Sequence, residues 1–378
     1  MVHQWTEAKT LIGKLNNKGY QTYIVGGAVR DLLLGRTLSD IDIVTAATPK
    51  EVSKLFDKTV QLSNQHQTVL VREGQELFEV TTIRGTSFVE DMQRRDLTIN
   101  SLAMDEHGDL VDVVNGKRDL EFKQLRSIDA KARMTEDPLR MLRVARFISE
   151  LGFSVAPNLF NTIKENHPLI NKVAVERVVK EWVKVLKGAD RKDALRFLVE
   201  TGLYQSIPGL SLHAKAIDEL LHLKSLVNES ESICWSAFCL CMNVPNEETL
   251  KQLNLSNELL RAVKVRMYYY QKRKVHSWSD MDLYDSSIDV AQDVEKLRFL
   301  FGLPAQDQSK LKAMWDSLPI HNRSELAVTG GDLLQEFKKE QGPWLKDFLL
   351  RAEKLVIERK CLNEKSIIIK ELRKCEHC

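Results

Sequence analysis

The sequence predicts an α+β protein in which a mixed-sheet head is followed by helices to the end. Up to about residue 132, short β-branched and aromatic runs alternate with helical segments: QTYIVGG (21–27), DIDIVT (40–45), QTVLVRE (67–73) and ELFEVTTIR (76–84). Beyond residue 133 the alternation fades. Apolar residues recur there at helical spacing in TEDPLRMLRVARFISELGF, VERVVKEWVKVLKG, DALRFLVETGLY and WLKDFLLRAEKLVIERK, punctuated by Gly152, Gly188, Gly202, Pro208 and Gly209. Length is the third observation, because 378 residues are too many for one core and imply two to four domains. Within the head, AVRDLLLG reads as a helix closed by Gly35, and TPKEVSKLF has Thr48 as N-cap with Pro49 at the first helical position.

Apolar residues make up 43% and charged residues 29%, a globular and well-solvated balance. A net charge of +2 means that a polyanionic partner must be met by local basic patches. MVHQWTEAKT lacks the pattern of a signal peptide, and no apolar run approaches the roughly 18 residues of a membrane span. Six sparse, late-clustered cysteines suit a reducing compartment, and the terminal CEHC, without a second ligand pair nearby, reads as tail rather than zinc site. The expectation is a soluble cytoplasmic protein with no membrane partner.

The stretch GGAVRDLLLGRTLSDIDIV (26–44) carries the chemistry. Gly26 and Gly27 let a backbone approach a ligand closely where a strand gives way to a helix, and Arg30, one turn in, offers a fork of donors to phosphate oxygens. Asp40 and Asp42, two apart on a strand, point to one face and repel unless a cation lies between them; such hard oxygen ligands suit Mg²⁺. A lone G-G is usually a turn and a lone D-x-D usually solvated, but the ordered combination within 17 residues points to metal-assisted phosphoryl or nucleotidyl transfer. Neither a P-loop nor a dinucleotide fingerprint is present.

In RRDLTIN (94–100), Arg94, Arg95 and Asp96, followed by Thr98 and Asn100, can hold a ribose hydroxyl and a triphosphate together, or cap a helix with an exposed ion pair. In EDPLRMLRVAR (136–146), Asp137 and Arg140 stand three apart on a helix. Aspartate accepts from the exocyclic amine of cytosine or adenine, and arginine donates to the neighbouring ring nitrogen. Uracil and guanine reverse both groups, so this pair selects C and A without a template. Arg143 and Arg146 continue the ridge toward the triphosphate; in isolation all four would read as surface charges.

These motifs, with LVDVVNGKRDL between the last two and ERVVKEW (176–182) and LAVTGGDLLQEFKKEQGPWLKDFLL (326–350) after them, closely resemble the class II tRNA nucleotidyltransferases, the bacterial CCA-adding family that also includes poly(A) polymerases. The resemblance covers essentially the whole chain. It implies a DNA-polymerase-beta-like head (1–132), a helical neck with the nucleotide-selecting helix (133–190), a body (191–290) and a tRNA-binding tail (291–378). It implies Asp40 and Asp42 as the catalytic, metal-binding pair for two Mg²⁺ ions, and Gly26, Gly27 and Arg30 at the triphosphate. Arg95 and Asp96 match the ribose and phosphate motif, Asp137 and Arg140 the protein template, and Arg143 and Arg146 its phosphate-side companions. Glu79 is a further acidic candidate on a neighbouring strand. Trp182 stands where the family usually has leucine, which reads as helix packing.

One departure decides between branches. Only nine residues, GTSFVEDMQ, separate Arg84 from Arg94, where CCA-adding relatives have a longer flexible loop that reshapes the base pocket from C to A. The short segment implies the CC-adding branch, with tRNA and CTP as partners and a separate A-adding enzyme in the same cell. A full CCA-adding enzyme that also uses ATP is the alternative, and a poly(A) polymerase a more distant one. RAVKVRMYYYQKRK (261–274), with six basic residues and three tyrosines, reads equally as an RNA contact or as core, and residues 338–374 carry eleven Lys/Arg against six Asp/Glu.

Overall fold

The computed structural model describes residues 2–37, 40–63, 67–243 and 250–374. Cys375 and Cys378 of the terminal C-x-x-C lie outside the described residues. Packing divides the chain into two units, Met1–His213 and Ala214–Cys378.

The first unit begins with a seven-stranded mixed sheet of β1 (Thr22–Val25), β2 (Asp42–Thr45), β3 (Thr59–Ser63), β4 (Thr68–Glu73), β5 (Glu76–Thr82), β6 (Leu102–Met104) and β7 (Leu110–Asp112). The order is β3-β4-β5-β2-β1-β6-β7, with β2 and β5 parallel and every other pair antiparallel. Helix α1 (Val2–Asn16) buries Ala8, Leu11, Ile12 and Leu15, the i, i+3, i+4, i+7 stripe of an amphipathic helix. Helices α2 (Gly27–Leu33) and α3 (Pro49–Leu55) form where the sequence predicts them, and Thr48 with Glu51 completes a capping box on α3. The strand expected over 40–45 starts only at Asp42, so Asp40 lies just ahead of it. The sequence reading omits β3, β6 and β7; the last two have three residues each, too few for a period-2 pattern to declare itself.

Helices α4 (Phe88–Gln93) and α5 (Gly116–Glu121) complete the head. A Cβ on Gly116 would stand 2.2 Å from the Thr98 carbonyl oxygen, so only glycine allows α5 to lie against that turn. Buried Asp119 on α5 accepts the Thr98 hydroxyl and Arg126 Nε, which makes Thr98 a structural residue rather than a ligand contact.

The periodic stretch TEDPLRMLRVARFISELGF is two helices, not one: α6 (Ala130–Glu136) and α7 (Leu139–Leu151). Pro138 forces the preceding residue out of the helical region, and Asp137 adopts φ −139, ψ 95. Helices α8 (Pro157–Asn166), α9 (Val175–Lys187) and α10 (Arg191–Glu200) follow, with a two-stranded parallel sheet of β8 (Gln124–Leu125) and β9 (Ser154–Val155). Trp182 on α9 is fully buried in the core.

The described part of the second unit is helical: α11 (Ala214–His222), α12 (Glu231–Cys241), α13 (Asn257–Lys272), α14 (Asp280–Ser286), α15 (Ile288–Leu300), α16 (Gln308–Asp316), α17 (Gly330–Phe337), α18 (Pro343–Ile357) and α19 (Lys365–Lys374). Glu295, with no exposed surface, accepts Arg273 Nε, Trp278 Nε1 and the backbone N–H of Gln306. Cys234, Cys239 and Cys241 are free and buried, and burial pushes the Cys239 thiol up to about 12. No helix among the described residues is long and apolar enough to cross a membrane.

Candidate active site

The end of β1 delivers the backbone to the site. Gly26 has φ 80, and its N–H donates to the Leu102 carbonyl at 3.1 Å. A Cβ there would meet Arg95 Nη1 at 3.2 Å and Asp42 Oδ2 at 3.6 Å, so glycine serves both the positive φ and the close approach. Asp42 pairs in register with Val25 on one side and Glu79 on the other. Ile41 and Ile43 point into the core, which leaves Asp42 on the open side of the sheet with Asp40 exposed just before it.

Asp42 keeps contact with water, yet the groups crowding it make partial burial the leading cause that pushes its carboxyl above the usual range. Arg95 opposes that rise, and Glu79 and Asp40 add to it. Carboxylates close enough to raise the Asp42 carboxyl in this way are a donor set suited to a hard divalent cation. No group of three or more His, Cys, Asp or Glu gathers at metal-holding spacing among the described residues.

A second cluster lies next to the first. Arg30 donates through Nε and Nη2 to Asp31 (2.9 and 3.0 Å) and through Nη1 to Asn100 Oδ1 (2.6 Å). Asn100 donates onward to Asp96 Oδ1 (3.0 Å), and Arg143 Nε donates to Asp96 Oδ2 (2.7 Å). Glu181 on α9 stands 2.9 Å from Arg146 Nε and 3.9 Å from Arg143 Nη1. The three guanidiniums also surround the buried Phe147 ring, at 4.1–5.8 Å from its centroid.

Burial pushes the Asp96 carboxyl up, but Arg143, Asn100 and the Leu97 N–H together outweigh it and hold it at about 2. Arg30, Arg143 and Arg146, which the sequence points at phosphate, thus have guanidinium groups on protein carboxylates and Asn100. Arg95 is different. Its side chain has long contacts, at 3.4 Å to the Asn100 carbonyl and 3.5 Å to Asp91, and its buried Nε, like that of Arg146, has no hydrogen-bond partner.

Asp137 and Arg140 sit at the corner between α6 and α7. Arg177 on α9 grips Asp137 with two hydrogen bonds (2.8 and 3.2 Å). Arg140 Nη1 donates to Glu136 Oε2 (2.9 Å) and to the Arg133 carbonyl (3.2 Å). Sequence reasoning missed the roles of Arg133, Glu136, Arg177 and Glu181; their signal was only an ion-pair-rich motif beside each predicted site residue.

The nine residues between Arg84 and Arg94 are folded and anchored. Ser87 caps α4 by accepting from the Glu90 N–H (3.2 Å), and Glu90 Oε2 accepts the backbone N–H and hydroxyl of Thr86 (2.7 and 2.8 Å). Asp91 accepts from the Arg84 N–H (3.2 Å), while Phe88 and Met92 are buried, with Phe88 packed on Tyr23.

In the second unit, the basic tyrosine stretch is largely structural. Tyr269 and Tyr270 are buried, and Arg266, Lys272 and Arg273 pair with Asp293, Asp282 and Glu295. Tyr268, Arg261 and Lys274 remain exposed. Of the 338–374 stripe, Lys360, Lys365, Arg373 and Lys374 face carboxylates, while Lys346 and Arg351 are exposed on α18.

A glycine turn that brings backbone and arginine to paired aspartates on a mixed sheet defines a nucleotidyltransferase head. Residues 22–126 match the family model described as the poly A polymerase head domain, residues 152–212 that of a probable RNA and SrmB-binding site of polymerase A, and residues 226–372 that of tRNA nucleotidyltransferase domain 2. The CC-adding tRNA nucleotidyltransferase of Shouchella clausii is 40% identical over 97% of this chain and 96% of its own. The CCA-adding enzyme of Enterococcus faecalis is 35% identical over 98% and 96%. Among solved structures, the Bacillus stearothermophilus CCA-adding enzyme in complex with CTP superposes with a TM-score of 0.92 at 34% identity, over 99% of this chain and 98% of that one. The chain belongs to the tRNA nucleotidyltransferase family.

Proposed function

We propose that this enzyme adds two cytidines from CTP to the 3′ end of tRNA and stops, leaving the terminal A to a separate enzyme in the same cell. The observation that carries this reading is the segment between Arg84 and Arg94: nine residues, capped by Ser87 and packed through Phe88 and Met92, leave no slack for reshaping a base pocket. In this reading residues 1–132 are the catalytic head, 133–190 the neck, 191–290 the body and 291–378 the tRNA-binding tail, working in a reducing cytoplasm.

Asp40 and Asp42 would hold two Mg²⁺ ions, which supply charge neutralisation at the phosphates and activation of the attacking 3′-hydroxyl. Arg95, beside the backbone at Gly26 and Gly27, takes the triphosphate, because its donors are less committed than those of Arg30 and Arg143. Arg30, Asp96, Arg143 and Arg146 brace the pocket and turn their remaining valences toward the nucleotide. Asp137 and Arg140 read the cytosine edge. A carboxylate has about four lone-pair sites and a guanidinium five N–H donors, so both can keep Arg177 and Glu136 while doing so.

Full CCA addition is the second reading, favoured by the relatives named CCA-adding. The deciding experiment supplies Mg²⁺ and a tRNA transcript lacking CCA with CTP, ATP or both, and sequences the product ends. Two C and nothing more, with ATP present, is expected; C-C-A would overturn CC-only addition and put the A-selecting element outside α4.

A further inference from the structure

The base-reading arginine is tied to the short segment by a single side chain. Arg133 on α6 donates through Nη1 both to the carbonyl of Arg94, the residue that ends α4 (3.1 Å), and to Glu136 Oε2 (2.8 Å). The same Glu136 oxygen accepts Arg140 Nη1 at 2.9 Å, and the Arg133 carbonyl accepts Arg140 Nη1 at 3.2 Å. Arg133 and Arg140 are each only 15% exposed in their side chains, whereas Glu136 is 55% exposed. Without the Arg133 side chain, Arg140 would keep Glu136 and the Arg133 main-chain carbonyl, but the link from that group to the Arg94 carbonyl would be gone. The Arg94 carbonyl is itself set by the α4 cap, since the Arg94 N–H donates to Glu90 and Asp91 carbonyls at 3.1 and 3.2 Å.

We infer that Arg133 is a specificity-determining positioning residue: it transmits the fixed end of α4 through Glu136 to Arg140 and so holds Arg140 in one base-reading setting. This rests on Arg140 reading the incoming base, as proposed above, but not on whether A is added. Charge-assisted hydrogen bonds of this kind narrow the orientations an arginine can take. With its anchor no longer tied to α4, Arg140 can move together with Glu136, and a pyrimidine offering the opposite donor and acceptor is then rejected less well.

The test compares Arg133→Ala, Arg133→Lys and Glu136→Gln with the wild type on a tRNA transcript lacking CCA, giving CTP or UTP alone and fitting kcat and KM for each. In Arg133→Ala the preference for CTP over UTP should fall about tenfold, the scale of one charge-assisted hydrogen bond, chiefly through the KM for CTP. Arg133→Lys keeps the positive charge but not the planar guanidinium and should lie between. Glu136→Gln keeps the shape and should move the ratio the same way by less, which keeps the test open even if Arg133→Ala folds poorly. An unchanged CTP to UTP ratio in all three, with rates lowered uniformly, would make Arg133 a purely structural residue and overturn the inference. A wild type that adds A would sink the CC-only reading and leave this ratio as informative as before.

Discussion

Gly26 shows how much one residue without a side chain can specify. Its φ of 80 and the 3.2 Å that would separate a Cβ from Arg95 Nη1 predict that Gly26→Ala disturbs Arg95 and Asp42 rather than the sheet. Asp42 is the sharper test. If Asp42 holds a divalent cation as proposed, Asp42→Asn removes a charged ligand of it, so C incorporation should fall about a hundredfold or more while tRNA retention on a filter stays near the wild-type value. Loss of both together would mean that Asp42 serves folding instead. At this scale the glycine turn and the outward face of Asp42 were legible in the sequence, because a period of two sets the face of a strand; that Asp40 lies just ahead of the strand was not. The arginines were not. The sequence points Arg30, Arg143 and Arg146 at phosphate, yet which oxygen each guanidinium meets depends on Asp31, Asn100, Asp96 and Glu181, up to 70 positions away.

Among the elements, α4 matters most, because the proposed stop after two cytidines rests on the short segment it occupies. Its anchors are local and readable: a serine N-cap, and Glu90 closing on Thr86. Hydrogen bonds from Thr86, supported by Arg94, hold the Glu90 carboxyl below its usual range. Ser87→Ala should cost about 1 kcal/mol in urea unfolding, the usual value of an N-cap. If α4 holds the pocket as proposed, this variant should also relax the preference for CTP over UTP; no change in unfolding would show that the cap contributes nothing. The corner at Asp137 was the element-scale surprise. Helical periodicity runs straight through TEDPLRMLRVARF, but Pro138 expels Asp137 from the helix and thereby frees its carboxylate for Arg177.

Across the first unit, Asp96 joins segments far apart in the chain: Asn100 and Arg30 on one side, Arg143 and then Glu181 on the other. Its carboxyl lies at about 2, below the ordinary 3.8, so the folded state favours the ionised form. The resulting stability is present in full above about pH 4 and is lost as pH falls toward 2, roughly 2 kcal/mol in all. Urea midpoints measured from pH 5 to pH 2 should therefore fall more steeply for the wild type than for Asp96→Asn, and parallel curves would remove Asp96 as the cause.

The sequence by itself determined the α+β division, the glycine turn, the paired aspartates and the short segment before Arg94, because each is written in neighbouring residues through backbone sterics and period. Only the tertiary structure decided that Arg30, Arg143 and Arg146 hold carboxylates, that Tyr269 and Tyr270 are core, and that Arg133 bridges α4 to Arg140. Charged and aromatic side chains are long and chemically promiscuous, so their partners are fixed by which distant surfaces the fold brings within about 3 Å, a distance no local pattern encodes.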